Sequence, residues 1–239
     1  MKQILSNAKI IGLSLFFPKQ KILAISDLHL GSEESYTKQG IFIPRTNFNL
    51  ILKELEKIFS KTGKIKKTII LGDLKHEFGK PSQQEWTEVI DVLRFISKNS
   101  EEIILLKGNH DAALEPIASW ENLKIQNAYL LEKESIVFLH GDSLKFFKEF
   151  LKAKTIIIGH DHPAVSLREG VKMEKFKCFL KGKYEEKQLI VLPSMNQLSE
   201  GSNILSEKMS SPFLKQNLDN FELWVVGDKT YYFGKIKDL

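Results

Sequence analysis

Six histidines lie in this chain of 239 residues, and their neighbours carry the chemistry: His29, His76, His110, His140, His160 and His162. Five fall within four residues after a short apolar run, beside an Asp or Asn, and His76 follows its run at five. With their neighbours they read Asp27-Leu-His29, Gly72-Asp73, Gly108-Asn109-His110-Asp111, His140-Gly141-Asp142 and Gly159-His160-Asp161-His162. Oxygen and imidazole donors without thiolate suit Mn²⁺, Fe, Zn²⁺ or Ni²⁺, and donor type does not separate these metals. Seven candidate ligands (Asp27, His29, Asp73, Asn109, His140, His160 and His162) exceed the three or so that one catalytic zinc takes from protein. That number suits two ions sharing a carboxylate. Two ions roughly 3.5–4 Å apart clamp a phosphate and activate water at neutral pH. Phosphoester hydrolysis most needs such help, because its uncatalysed rate is so low.

The elements that must position these groups are short, β-branched apolar runs of strand length: Ile22–Ile25, Thr68–Leu71, Ile103–Leu106, Ile136–Leu139, Thr155–Ile158 and Leu189–Leu192. The run Ile10–Phe17 reads as the first strand, and Gly227-Asp228-Lys229 as a hairpin turn between two late strands. Helical spacing places Leu50, Ile51, Leu55, Ile58 and Phe59 on one apolar stripe. A second helix begins at Ser82 with Glu85 three residues on, and a third, shorter one fits Leu144–Leu151. Ligand sites in open α/β sheets lie at the carboxyl ends of the strands, where the histidines fall. In an extended segment residues i and i+2 point the same way, which pairs Asp27 with His29 and His160 with His162. Asp161 then points away and is read as structural, and Asp142 as a cap for the helix near Leu144. Glycines before Asp73, Asn109 and His160 permit close backbone approach.

Composition narrows the class. At 42% apolar and 27% charged residues the chain is globular, not disordered. No apolar stretch approaches the roughly 20 residues that span a bilayer, so no membrane role is expected. The single cysteine, Cys178, makes no internal disulfide, and a reduced, cytoplasmic protein is expected. The formal charge of +5 mildly favours polyanionic partners. The basic stretch Lys61, Lys64, Lys66 and Lys67 precedes a strand, opposite the expected site, and reads as a solvated turn. The region Lys172–Lys187 reads as a charged hairpin, and Arg45 as an exposed charge. Without an evident linker, residues 1–239 read as one domain.

The ordered motifs D-x-H, G-D, G-N-H-D, a strand ending in His-Gly, and G-H-x-H resemble those of the calcineurin-like metallophosphoesterases. Leu192-Pro-Ser-Met-Asn196, Ser211-Pro-Phe213 and Phe233-Gly234 resemble segments of archaeal and bacterial members related to the repair nuclease SbcD. The resemblance implies an α/β fold of α+β type, a four-layer αββα sandwich of two mixed sheets flanked by helices. It implies one divalent ion on Asp27, His29, Asp73 and His162 and a second on Asp73, Asn109, His140 and His160, with Mn²⁺ first among the metals. His110 would protonate the leaving oxygen, Asp111 would orient its ring, and a hydroxide bridging the ions would attack phosphorus. Gly72-Asp-Leu-Lys-His76 resembles a motif whose second histidine contacts phosphate, with Lys75 where those nucleases carry Phe. A separate DNA-capping domain is not expected, nor is ATPase-coupled processive cutting.

The expected function is a dinuclear-metal phosphodiesterase acting on nucleic acid, DNA or RNA, or on nucleotides. A small-molecule phosphomonoesterase or pyrophosphatase is the alternative, and a non-catalytic scaffold such as the retromer subunit of this fold is a third. Retention of His110 with every ligand position filled argues against the scaffold. A homo-oligomer and a ligase or ATPase partner leave no mark in the sequence.

Overall fold

The computed structural model describes residues 2–111, 113–114, 117, 119–120, 122–145 and 148–239. The first sheet runs β1 (Lys2–Leu5), β2 (Ala8–Ile11), β3 (Ser14–Phe17), β4 (Ile22–Ile25), β5 (Ile65–Ile70), β6 (Ser100–Leu106) and β7 (Leu123–Gln126), in that spatial order. β1 to β4 pair antiparallel, and β4 to β7 pair parallel. The second sheet is built from β8 (Ala128–Leu131), β9 (Ile136–Leu139), β10 (Thr155–Ile158), β11 (Pro163–Glu169), β12 (Lys172–Tyr184), β13 (Lys187–Val191) and β14 (Ser202–Asn203), with β15 (Glu222–Val226) and β16 (Thr230–Lys235) added alongside β12. Within it β9, β10 and β13 are parallel neighbours. Four helices, α1 (Ser32–Lys38), α2 (Asn47–Thr62), α3 (Gln83–Asn99) and α4 (Lys148–Lys152), complete the described elements used below.

The strands read as apolar runs because both faces of each sheet are covered. In β4 successive side chains take opposite sides: Ile22 and Ala24 enter the core between the sheets, whereas Leu23 and Ile25 pack under helices. The central core joins Phe17, Ile69 and Ile104 of the first sheet to Phe138, Ile157, Phe179 and Ile190 of the second. α2 and α3 cover the outer face of the first sheet through Ile51, Leu55, Ile58, Val89, Leu93 and Ile96. The outer face of the second sheet is covered by Phe150 of α4 and by Phe213, Leu214 and Phe221. The layers are therefore helix, sheet, sheet, and a thinner layer of one short helix and irregular chain.

Four local expectations are corrected. The run Ile10–Phe17 is two strands, β2 and β3, because Gly12 turns the chain at φ +55. A Cβ at Gly12 would lie 2.0 Å from Glu54 Oε1, so the turn packs on α2. Leu50 falls off the α2 stripe and is 41% exposed. Of the helix expected over Leu144–Leu151, residues 146–147 lie outside the described residues; α4 is described over Lys148–Lys152, and Leu144 and Lys145 are not helical. The charged region Lys172–Lys187 is not a hairpin by itself: it is one thirteen-residue strand, β12, bonded in turn to β11, β15 and β13, with the tight turn at 185–186 that pairs it to β13. The expected start of α3 is present: Ser82 Oγ accepts from the Glu85 amide at 3.1 Å. Among the described residues no helix is long and apolar enough to cross a membrane.

Phe138 is fully buried and meets Phe17 edge-on at 5.8 Å between centroids. Its truncation to alanine should cost about 3–5 kcal/mol of unfolding free energy. Leu50→Ala on the exposed side of α2 should stay within about 0.5 kcal/mol. Urea denaturation of both variants checks the contrast, and equal costs would mean the layers are misassigned.

Candidate metal centre

β4, β5 and β6 are parallel neighbours in one sheet, as are β9 and β10 in the other, so their carboxyl ends form two rims. The loops after these five strands carry every candidate residue. Backbone bonds stitch them: the amides of Asp27, His29 and Leu30 donate to the carbonyls of Gly72, Asp73 and Leu74 at 3.2, 3.0 and 3.0 Å. Across the sheets, the His160 amide donates to Asp27 Oδ2 at 3.0 Å. Gly159 allows this approach, since a Cβ there would sit 1.7 Å from Ser26 Oγ and 2.5 Å from Asp27 Oδ2.

Asp27, His29, Asp73, His160 and His162 all hold φ between 44 and 71, the left-handed region that non-glycine residues seldom occupy. The paired ligands reach one side through two left-handed residues, not through an extended i, i+2 segment. Asp161, between two of them, turns away as expected, and its carboxylate accepts from the Ser210 amide at 2.7 Å and the Ser211 amide at 2.9 Å.

Seven candidate ligands converge. Asp27, His29 and His162 form one group of donor atoms lying within 4.8 Å of one another, and Asp73, His140 and His160 form a second. Asp73 Oδ2 lies between them, 3.7 Å from His29 Nε2 and 3.4 Å from His140 Nε2. Asn109 Oδ1 joins the second group, 3.0 Å from His140 Nε2, and His160 faces that same nitrogen with Nδ1 at 3.1 Å. Each carboxylate is anchored through one oxygen and presents the other. Asp27 Oδ2 accepts from Ser26 Oγ at 2.5 Å and from His160, and Asp73 Oδ1 accepts from the His110 amide at 3.0 Å.

The electrostatics are those of a site shaped for cations. Asp27 Oδ1 is buried without a hydrogen-bond partner among the described residues. Burial opposes its charge, but the field of His162, with His140 and His29, holds the carboxyl well below the usual range. Burial and then repulsion by His162 push His29 down to about 3, and the two imidazoles face each other through Nε2 at 3.2 Å. His140 is pushed up to about 10: burial works against its charge, but the hydrogen bond to Asp73 and the charges of Asp27 and Asp73 outweigh it. The His140 Nδ1 donates to the Leu71 carbonyl at 2.6 Å, which turns Nε2 toward the centre. A set of buried carboxylates and imidazoles with an orphaned oxygen fits divalent cations.

His110 and His76, expected to meet the phosphate, and Asp111, expected to orient the His110 ring, are placed differently from one another. His110 points Nε2 toward Asp73 Oδ2 at 3.9 Å, while its Nδ1 is bonded to the His76 carbonyl. Asp111 does not orient that ring. Its carboxylate accepts from the amides of Leu74 at 3.1 Å and Gly108 at 3.0 Å and so ties two loops. Burial and the nearby Asp73 push Asp111 up to about 6. His76 lies beside the centre, its ring 5.4 Å from His29 and 5.6 Å from His110. Asp142 is exposed, and residues 143–145 that follow it are not helical, so it does not cap a helix near Leu144. Arg45 is exposed, as expected.

Sequence reading missed the cradle behind Asp27. Ser194 Oγ donates to the Asp27 carbonyl at 2.6 Å, and the Asn196 amide to the same carbonyl at 3.2 Å. The Lys177 ammonium donates in turn to the carbonyls of Ser194, at 2.8 Å, and Asn196. Burial pushes Lys177 down to about 7. The segment Leu192–Asn196 stands out in the sequence only by its resemblance, and Lys177 offers no signal but its place just before the apolar stretch Cys178–Leu180.

A cation accepted by His140 Nε2 must displace the proton that Asp73 Oδ2, 3.4 Å away, favours there. Mn²⁺ affinity should therefore rise with pH by about tenfold per unit while one proton is released, and fall on acidification. Titration calorimetry in buffers of different ionisation enthalpy reads the proton directly. A pH-independent affinity would overturn the arrangement.

A sequence profile of the calcineurin-like phosphoesterases matches residues 20–228. Comparison with curated protein sequences finds no match. Among solved structures, the chain is similar to the Pseudomonas putida nuclease MPE, at a TM-score of 0.65 and 19% identity, with 95% of this chain and 100% of that one covered. It is also similar to Yfce, a phosphoesterase from E. coli, at 0.43 and 16% identity, covering 90% and 97%. Vacuolar protein sorting 29 from Cryptosporidium parvum matches at 0.41 and 14%, again over 90% and 97%. The profile match runs through every candidate ligand from Asp27 to His162, and the chain belongs to the calcineurin-like phosphoesterase family of hydrolases.

Proposed function

We propose that this chain is a phosphodiesterase working with two divalent ions, Mn²⁺ first among them, on nucleic acid or nucleotides. The observation that carries the reading is Asp73 Oδ2, set between two donor groups and faced by the His110 Nε2 at 3.9 Å. Asp27, His29, Asp73 and His162 would hold one ion, and Asp73, Asn109, His140 and His160 the other. When bound, such ions polarise the phosphoryl oxygens and lower the pKa of bound water. The net charge of +5 and the fold shared with the Pseudomonas putida nuclease support a polyanionic substrate. Residues 1–239 are read as one metallophosphoesterase domain.

The chain's own contribution is to place a proton. The His76 carbonyl accepts the His110 Nδ1–H, so a second proton on His110 resides at Nε2, the atom facing the centre. From there it passes to the leaving oxygen as the P–O bond breaks. Asp111 acts indirectly: by tying Leu74 to Gly108 it fixes the loop from which His110 projects. His76 shares the rim and supplies both the carbonyl and a second imidazole toward the phosphate.

The first test is hydrolysis of an aryl phosphodiester beside the matching monoester by metal-stripped protein titrated with Mn²⁺. Diester turnover that saturates with metal supports this reading, and monoester preference would replace it with a small-molecule phosphatase. His110→Ala should then lower kcat by about 10²–10⁴-fold on an alkyl-leaving diester while metal content stays intact. With p-nitrophenolate, which departs without a proton, the defect should shrink. Loss of metal in His110→Ala, or an equal defect with both leaving groups, would remove His110 from the acid role.

A further inference from the structure

The loop after β5 carries an aromatic side chain that the chemistry above does not use. Phe78 is 60% exposed, yet its ring stacks on the His110 imidazole, 3.7 Å between centroids and 28° between planes. Its neighbours on both sides are pinned. Lys75 is fully buried, and its ammonium donates to the carbonyls of Glu77 and Gly79, the residues flanking Phe78. Glu85 Oε1 of α3 accepts from the amides of His76 at 2.7 Å and Glu77 at 2.8 Å. A buried lysine and a largely buried glutamate thus hold a three-residue tip whose one large side chain faces solvent. Burying an ammonium is costly, and here its donors go to the two carbonyls that bracket the phenyl ring.

We propose that Phe78 is a specificity-determining residue whose open face stacks on the base of a nucleoside beside the scissile phosphate. The inference rests on the phosphodiesterase reading and names what that site prefers. His110 Nε2 gives its proton to the leaving oxygen, so the group carried by that oxygen passes next to the ring stacked on His110. Every nucleobase has a π-face, so stacking favours nucleotide diesters over alkyl diesters without reading sequence. Lys75 and Glu85 are positioning residues for this platform.

The test compares kcat/KM for a short oligonucleotide with that for the same backbone carrying abasic residues on both sides of the cleaved bond. Mn²⁺-loaded wild-type protein should prefer the base-bearing substrate by about tenfold or more. Phe78→Ala should bring that ratio to within about twofold of unity, and Phe78→Trp should keep or raise it. A ring that only props His110 would lower both rates together and leave the ratio at its wild-type value, which would overturn the proposal. A wild-type ratio near unity, with aryl diester turnover intact, would overturn it while leaving the phosphodiesterase reading in place. No turnover of any diester by the loaded wild-type protein would overturn both.

Discussion

Two buried carboxylates with incomplete compensation organise this molecule. Asp27 and Asp73 each spend one oxygen on backbone or hydroxyl donors and turn the other into a space ringed by imidazoles. Charge at such depth is costly unless paired, and the local pairing falls on His140, which is driven to about 10. Holding five ligand residues in left-handed backbone adds about 1–2 kcal/mol each for side chains other than glycine. Parallel strand ends, reciprocal loop bonds and the Ser194–Asn196 cradle overdetermine these conformations. Strain of this kind persists only where the surroundings fix it.

That arrangement explains which parts of the structure were readable in the sequence. Strands buried on both faces appear as unbroken apolar runs, and six of those runs became strands within a few residues of their expected bounds. The histidines were legible as a cluster because the carboxyl ends of parallel strands in both sheets collect the loops. Positions whose role depends on distant partners were not. Asp111 sits beside His110 in sequence, yet its carboxylate serves Leu74 from a neighbouring loop. Lys177 reads as one charge among many in a Lys-rich strand, and only the fold brings Ser194 and Asn196 to it. The Ile10–Phe17 run hid a turn because Gly12 is one residue in an apolar stretch, and packing on Glu54 decides its conformation.

A second set of acids does different work. Glu33, Glu85 and Glu88 are buried around α1 and α3, and each accepts from a backbone amide: Asn47 at the start of α2 at 2.7 Å, and His76 and Gly31 of the loops bordering the site at 2.7 and 2.9 Å. Burial raises Glu85 and Glu88, the reverse of its outcome at Asp27 and Asp73, where imidazoles prevail. Carboxylates among amides fix the outer segments; carboxylates among imidazoles make the candidate cation site.

The two sets respond differently to metal. Cations held at the candidate centre would supply the charge that His140 provides in their absence, and any ion bound only by the folded chain stabilises it in proportion to the logarithm of its concentration over Kd. The strain at the five left-handed residues is then offset where it arises. The rim that bears His76 and Phe78 hangs instead on Glu85 and Lys75, whose bonds to amides and carbonyls need no ion. The geometry of that rim is therefore set by the polypeptide, while the electrostatics of the centre would be completed by the ions proposed there. On the proposed reading, loss of metal would remove the chemistry but leave the tip that carries Phe78 in place.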